Sequence, residues 1–235
     1  MRIYEHHKKY IESVENNSTT RVINCKTVAK ENHNIIVGAD SNCASATSYN
    51  LIDFGDFNTL SFRDINAIWL AGFNNISVTD NNAIRCDYRN IITVQNANII
   101  EACNNNTVTL LSSNFLIAGH YNNITGKRHN NVIVGNNNTI SLDLHNNIIA
   151  KDNNIITACS RNSISAGKYC FITTSFDSIV KADVGSVITL TGYRAGVKYS
   201  TIVVDNERIK ANTWYTLIDG EFTIASDKLI KHYGV

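Results

Sequence analysis

The sequence predicts an all-β chain: a two-sheeted parallel β-solenoid, or β-roll, of about ten 16-residue coils, followed by a small C-terminal antiparallel β domain. Three observations carry that prediction. Every eighth residue from Asn34 to Asn162 is asparagine, without a miss. Two positions after each of these, Ile, Leu or Val recurs from Ile36 to Ile188, with Ala44 the exception. Proline is absent from all 235 residues, which removes the usual breaker of strand ladders and starter of loops.

Four residues after each ruler asparagine the side chain is small or apolar, as in Phe54, Leu70, Val94, Ala118, Val134 and Leu142. The resulting N-x-Φ-x-a alternates with a period of two, so the amide, the aliphatic and the small residue share one face of a strand. Each octad is therefore a short strand followed by a tight corner. Beyond Asn162 the ruler meets Cys170, Ser178 and Ser186, so the period outlasts its signature residue. Alternate octads differ. Three residues after every second asparagine stands a hydroxyl, from Ser45, Ser61 and Ser77 through Thr93, Thr109 and Thr125 to Thr189, whereas the intervening octads carry Val37, Asp53, Trp69, Arg85, Glu101 and Ile117. The true repeat is thus 16 residues with two unlike strands, and residues 34 to 193, 160 in number, make 160/16 = 10 coils. Stacked at roughly 4.8 Å, they predict a rod on the order of 48 Å long.

The asparagines are expected to hold the corners. Asn tolerates left-handed backbone, satisfies turn N–H and C=O groups through its side chain, and stacks as an amide ladder when it repeats along an axis. Asn34, Asn50, Asn66, Asn82, Asn98, Asn114, Asn130, Asn146 and Asn162 form the structural ladder entering the first sheet. Residues 1–33 lie outside the strict ruler and read as an N-terminal cap or docking segment. Tyr4, Lys8, Ile11 and Val14 suggest a short amphipathic helix there, followed by irregular strands over the open end of the first coil. Residues 194–235 contain strand-like runs parted by Asp-Asn and Asp-Gly turns, GVKYSTIVVDNERIKANTWYTLIDGEFTIA, and read as a β cap domain.

Composition narrows the function classes. A hydrophobic content of 43% supports a real core, and a net charge of +1 offers neither a basic face for nucleic acid nor an acidic field. No apolar run of about 18 residues and no charged-then-apolar leader follows Met1, so neither membrane insertion nor secretion is expected. Cys25, Cys43, Cys86, Cys103, Cys159 and Cys170 contain no C-x-x-C pair; they read as buried small hydrophobes, with no metal site and no cofactor expected.

At 130–135 (NNVIVG), 114–119 (NFLIAG) and 162–167 (NSISAG) the octad extends to N-x-Φ-x-a-G. This resembles the head repeat of YadA-type trimeric autotransporter adhesins and related β-rolls of phage tail fibres, and N-x-V-x-G also recurs in plant antifreeze β-rolls. The 16-residue coil is longer than that of the adhesin heads. Without a leader, a coiled-coil stalk or an anchor, the phage-fibre version, assembled in the host cytoplasm, is the nearer likeness. Residues of the IKANTWYTL stretch also look like C-terminal segments of phage tail proteins. The resemblance implies a homotrimeric virion appendage that partners itself, other tail or virion proteins, and a host-surface glycan or protein.

Two surfaces are candidates for function. Ile35, Val37, Leu51, Trp69, Ile99, Phe115, Ile117, Ile133, Ile149 and Ile179 occupy outward slots of the first sheet and predict a homo-oligomer interface, the other reading being that some tuck under terminal segments. His120, Tyr121, Lys127, Arg128, His129, His145 and Tyr169 are the candidate receptor contacts, aromatic and cationic groups on corners, against a plain solvated rim. On the second sheet the Ser/Thr column reads first as good exposed strand residues. Only Thr107 and Thr109 give a full Thr-x-Thr rank, so an ice-binding β-solenoid is a minor alternative. No G-x-S-x-G, H-E-x-x-H or phosphate loop is present, and the corner acids Asp40, Asp56, Asp64 and Asp80 form no acid/base pair by spacing. The chain is therefore not expected to be an enzyme, with a polysaccharide-degrading tailspike as the catalytic alternative.

Overall fold

A computed structural model describes residues 18–22, 27–30, 34–175, 177–192 and 198–235, the first two segments as backbone. The fold is the predicted one: two parallel sheets stacked as a β-solenoid of about 10 turns with a 16-residue spacing, and an antiparallel C-terminal part. The chain forms two compact units, Met1–Asn122 and Asn123–Val235.

In the first unit one sheet is built from Ser18–Val22, Asn34–Gly38, Leu51–Phe54, Ala67–Leu70, Ala83–Cys86, Ile99–Ala102 and Phe115–Ala118. The other comprises Thr27–Lys30, Cys43–Ala46, Thr59–Phe62, Asn75–Val78, Ile91–Asn96 and Thr107–Ser112. Neighbours run parallel, and each residue faces the one 16 positions on: Ile52 pairs with Ile68, and Ile68 with Ile84. Ser18 already pairs with Asn34, and Thr27 with Cys43. Coiling therefore begins before residue 34, because parallel pairing needs backbone register and not the asparagine signature. The helix expected around Tyr4 to Val14 lies outside the described residues.

The core is the space between the sheets. Ile36, Ile52, Ile68, Ile84, Ile100 and Leu116 line one wall of the first unit, facing Ala44, Leu60, Ile76, Ile92 and Val108. Burying each aliphatic side chain contributes roughly 1.5 to 3 kcal/mol. Bulk is balanced between coils. The Phe54 ring fills the place a side chain would take at Gly38, where an added Cβ would stand 2.0 Å from a ring carbon. Of the cysteines, Cys86 and Cys170 are buried as expected, but Cys103 and Cys159 are exposed and Cys43 is half-buried; Cys25 lies outside the described residues. The exposed pair stand at the turn just after a strand, where alternation no longer directs the side chain inward.

The second unit continues the same plan with Asn131–Val134, Asn147–Ala150, Ser163–Ala166 and Ile179–Lys181 in one sheet, and Asn123–Arg128, Thr139–Leu142, Ile155–Ala158, Phe171–Ser175 and Val187–Gly192 in the other. The chain then reverses. Lys198–Val203 pairs antiparallel with Val187–Gly192, while Tyr215–Ile218 pairs antiparallel with Ile179–Lys181 and forms a hairpin with Glu221–Ile224. Asp219 and Gly220 both take positive φ, 52° and 89°, as the Asp-Gly hairpin signal requires. A short helix, Asp227–His232, follows; its N-cap is Ser226, whose Oγ accepts the Leu229 N–H. No sequence periodicity announces a helix so short.

Candidate functional site

Everything exposed on this fold is held by its corners, and two ladders fix them. Ruler asparagines Asn42 to Asn162 are buried. The backbone N–H of each donates to the side-chain oxygen of the next one in its column: Asn82 to Asn98 Oδ1 at 2.8 Å, Asn98 to Asn114 Oδ1 at 2.9 Å, Asn146 to Asn162 Oδ1 at 2.8 Å. The side-chain amide runs the same way, as from Asn82 Nδ2 to Asn98 Oδ1 at 3.1 Å, and also donates to corner carbonyls such as Thr79 and Asn96 from Asn98. When asparagine gives out, Asn154 donates to Cys170 Sγ, Asn162 to Ser178 Oγ and Cys170 to Ser186 Oγ. The ladder's role thus passes to thiol and hydroxyl.

A second ladder runs along the same corners. Two residues before many ruler positions stands Asp or Asn, and its side chain accepts the N–H 16 residues on: Asp40 from Asp56, Asp64 from Asp80, Asp80 from Asn96, Asn136 from Asp152. Asp56 likewise accepts the Gly72 N–H, so all four corner acids belong to this ladder and their recurrence has a structural cause. Asp64 also accepts the Thr79 hydroxyl and lies near Arg63; with the Asp80 N–H, these hold its carboxyl below the usual range.

The left-handed residue is not the asparagine but the one before it. Positive φ of 54° to 60° recurs every eighth residue from Ser41 to Asp177, on residues as different as Tyr49, Phe57, Arg89, Ala97 and His145, and even β-branched Ile65. Their backbone N–H groups donate to a carbonyl of the next coil, as Phe73 does to Tyr88 and His129 to Leu144, so stacking imposes the geometry. The side chains are left to project at the corner. In the first unit one such column runs Ser41, Phe57, Phe73, Arg89, Asn105, Tyr121. The Phe57 and Phe73 rings stack at 4.8 Å, Arg89 lies over Phe73 at 5.3 Å, and Tyr88 meets Phe73 edge-on at 5.7 Å.

The candidate receptor contacts divide between corners. Tyr121 is 62% exposed beside half-buried His120 in the first unit. In the second unit Tyr169, 60% exposed, stands over Gly185 on one corner, while exposed His129 and His145 stand on the opposite one, with exposed Lys127 and Arg128 just before them. His129 and His145 stack at 5.1 Å with ring planes 14° apart, and their column continues as Arg161 and Asp177. These four residues line one side of a cleft of about 1040 Å³, closed on the other side by Thr216 to Gly220 of the C-terminal hairpin and by Leu229, His232 and Tyr233 of the C-terminal helix region. Burial first, then His129, Arg161, Arg128 and His232, makes His145 harder to protonate than an ordinary histidine. Burial and the Asp177 carboxylate push the Tyr233 hydroxyl up to about 12, against the opposing pull of Arg161. Among the described residues no three His, Cys, Asp or Glu side chains come together as metal ligands. Arg161 and Asp177 share the column of the two histidines and could have been found by stepping 16 residues; His232 and Tyr233 carry no such signal.

Of the predicted interface residues, Leu51 and Ile179 are buried within the chain. In the first unit Leu51 and Ala67 form a separate apolar cluster with Ile35 and Trp69 packed on it. In the second, Ile179, at 0% exposure, neighbours Val180, which pairs with Tyr215 of the antiparallel C-terminal part. Ile117 at 41% and Ile149 at 45% are exposed, and Val37, Ile99, Phe115 and Ile133 are half-buried.

No protein-family profile matches this chain, and neither a curated protein nor a solved structure matches it.

Proposed function

We propose that the protein is a structural and receptor-binding module of a phage-tail-fibre-like virion appendage, a rigid scaffold that displays side chains toward a host-surface glycan or protein. The observation that carries this reading is the corner column. A backbone fixed by stacking holds Phe57, Phe73, Arg89 and Tyr121 outward in one column, with the Phe57 and Phe73 rings stacked, Arg89 over Phe73, and none of them buried. Ring faces and a guanidinium held in fixed positions bind with little ordering cost, and several weak contacts on one rigid body sum to avidity. Homotrimer formation multiplies the effect and would cover the exposed apolar slots at Ile117 and Ile149 of the first sheet.

Two measurements test it. Light scattering of the full chain at micromolar concentration should return about three times the 26.1 kDa chain mass; a monomeric mass removes the trimer from the proposal. Fluorescently labelled protein should adsorb to bacteria bearing intact surface polysaccharide, with Phe57→Ala/Tyr121→Ala lowering adsorption roughly tenfold. Adsorption indifferent to those substitutions would refute the corner column as the binding surface.

A further inference from the structure

We propose that the cleft of the second unit is a binding site for a small organic anion, a molecule bearing a carboxylate or phosphate group. The cleft lies wholly within that unit, and the inference stands or falls apart from the appendage reading.

The first observation is a hydroxyl with nothing to bind. Ser163 lines the cleft, is only 2% exposed, and is the one residue among those described with a buried side-chain polar atom that has no hydrogen-bond partner. It occupies an outward slot of the first sheet, between Asn147 and Ile179 in register, where the coils of the first unit carry Leu51, Ala67 and Ala83. An aliphatic residue would serve packing there. A buried hydroxyl left unpaired destabilises the fold, a loss a bound oxygen removes.

The second is the charge of the wall. His129, His145 and Arg161 rise from successive coils of one corner, and His232 faces them from the helix region. Asp177 continues the corner column, and Asp219 lies on the turn opposite. Burial first, then His129, Arg161, Arg128 and His232, disfavours a proton on His145, so that ring sits among positive groups. Arg161 supplies a planar donor fork matched to a carboxylate or phosphate, the stacked imidazoles flank it, and Ser163 Oγ donates to one further oxygen of the ligand. A cleft of about 1040 Å³ admits an anion carried on a sugar-sized body. The facing groups that titrate or carry charge are His129, Arg128, Arg161, Asp177, Asp219, His232 and Tyr233. An anion beside His145 favours its charged form, so binding tightens as pH falls.

Isothermal titration of the full chain with inorganic phosphate and, separately, glucuronate at pH 6 tests the site, and the probe that binds tells a phosphate from a carboxylate ligand. One of the two should bind saturably. Arg161→Gln should weaken it at least tenfold, and His145→Gln should flatten its loss between pH 6 and 8. Ser163→Ala should weaken binding several-fold while raising the melting temperature of the ligand-free chain by roughly 2 °C, since the unpaired hydroxyl is gone. Thr139→Ala, on the exposed face of the second sheet, should change nothing. Absence of saturable binding by both probes overturns the proposal, as does binding that survives both Arg161→Gln and Ser163→Ala.

Discussion

Within the first unit the two sheets share their inward-facing columns and differ in their outward slots. On the second sheet each strand from Thr59–Phe62 to Thr107–Ser112 alternates cleanly, so that Thr59, Ser61, Asn75, Ser77, Ile91, Thr93, Thr107 and Thr109 are all exposed. On the first sheet Leu51, Ala67 and Ala83 occupy the equivalent slots and are buried, and Asp53, Trp69 and Arg85 beside them are half-buried. Coil geometry and outer packing are thus set by separate residues. The ladders and the aliphatic columns specify the solenoid, and the outward slots are free to make one face a second small core and the other an open hydroxyl array.

That division can be broken by mutation. The largest effect should come from the part both sheets share. Asn98→Ala and Asn90→Ala each strip several buried bonds from a corner, one leading into each sheet, and should lower stability about equally, by roughly 3 kcal/mol in urea unfolding; a wide disparity between them would mean that the ladder does not support both sheets alike. Next comes the coil-to-coil balance of bulk. Gly38→Ala puts a methyl against the buried Phe54 ring and should cost about 2 kcal/mol, with Phe54→Leu restoring most of the loss in the double variant. The contrast between the faces follows. Trp69→Ala on the first sheet should cost roughly 1.5 kcal/mol, whereas Thr107→Ala on the second should stay within about 0.5 kcal/mol. Equal values would erase the distinction drawn between a packed and an open face.

The smallest effect concerns the rim. Because the folded protein holds Asp64 below its ordinary carboxyl range, its contribution is fully present above that range and fades as pH falls through the lower folded value. Melting temperature should therefore drop on acidification below pH 4, and Asp64→Asn, which keeps an acceptor for the Asp80 N–H, should shallow that drop.

Much of the solenoid is legible because its rules are local. Alternation at Asn34-Ile36-Gly38 and its successors specifies strands, and the eight-residue step specifies corners, with no knowledge of tertiary structure. The assignment of left-handed geometry to asparagine itself was misplaced by one residue, since at Ile65 or Arg89 the next coil's carbonyl imposes the conformation and the residue type records nothing of it. The Asp and Asn of the second ladder, such as Asp40, Asp80 and Asn136, do recur at 16 and could have been read. The cleft could not. Its walls join Arg161 and Ser163 to His232 and Tyr233, which meet only because the chain turns back antiparallel after Val187–Gly192, and no periodic signal in the sequence encodes that return.

The left-handed corners have a consequence for how such a protein can change. Their backbone is dictated from the neighbouring coil, and their side chains make little of the core. Substitution at Phe57, Arg89, Tyr121 or Tyr169 therefore alters what the surface presents while leaving the scaffold's folding nearly neutral. A lineage carrying this chain can change its exposed corners by single steps, each tolerated, without first acquiring stability elsewhere. Variation among close relatives should accordingly concentrate one residue ahead of the asparagines and spare the asparagines themselves.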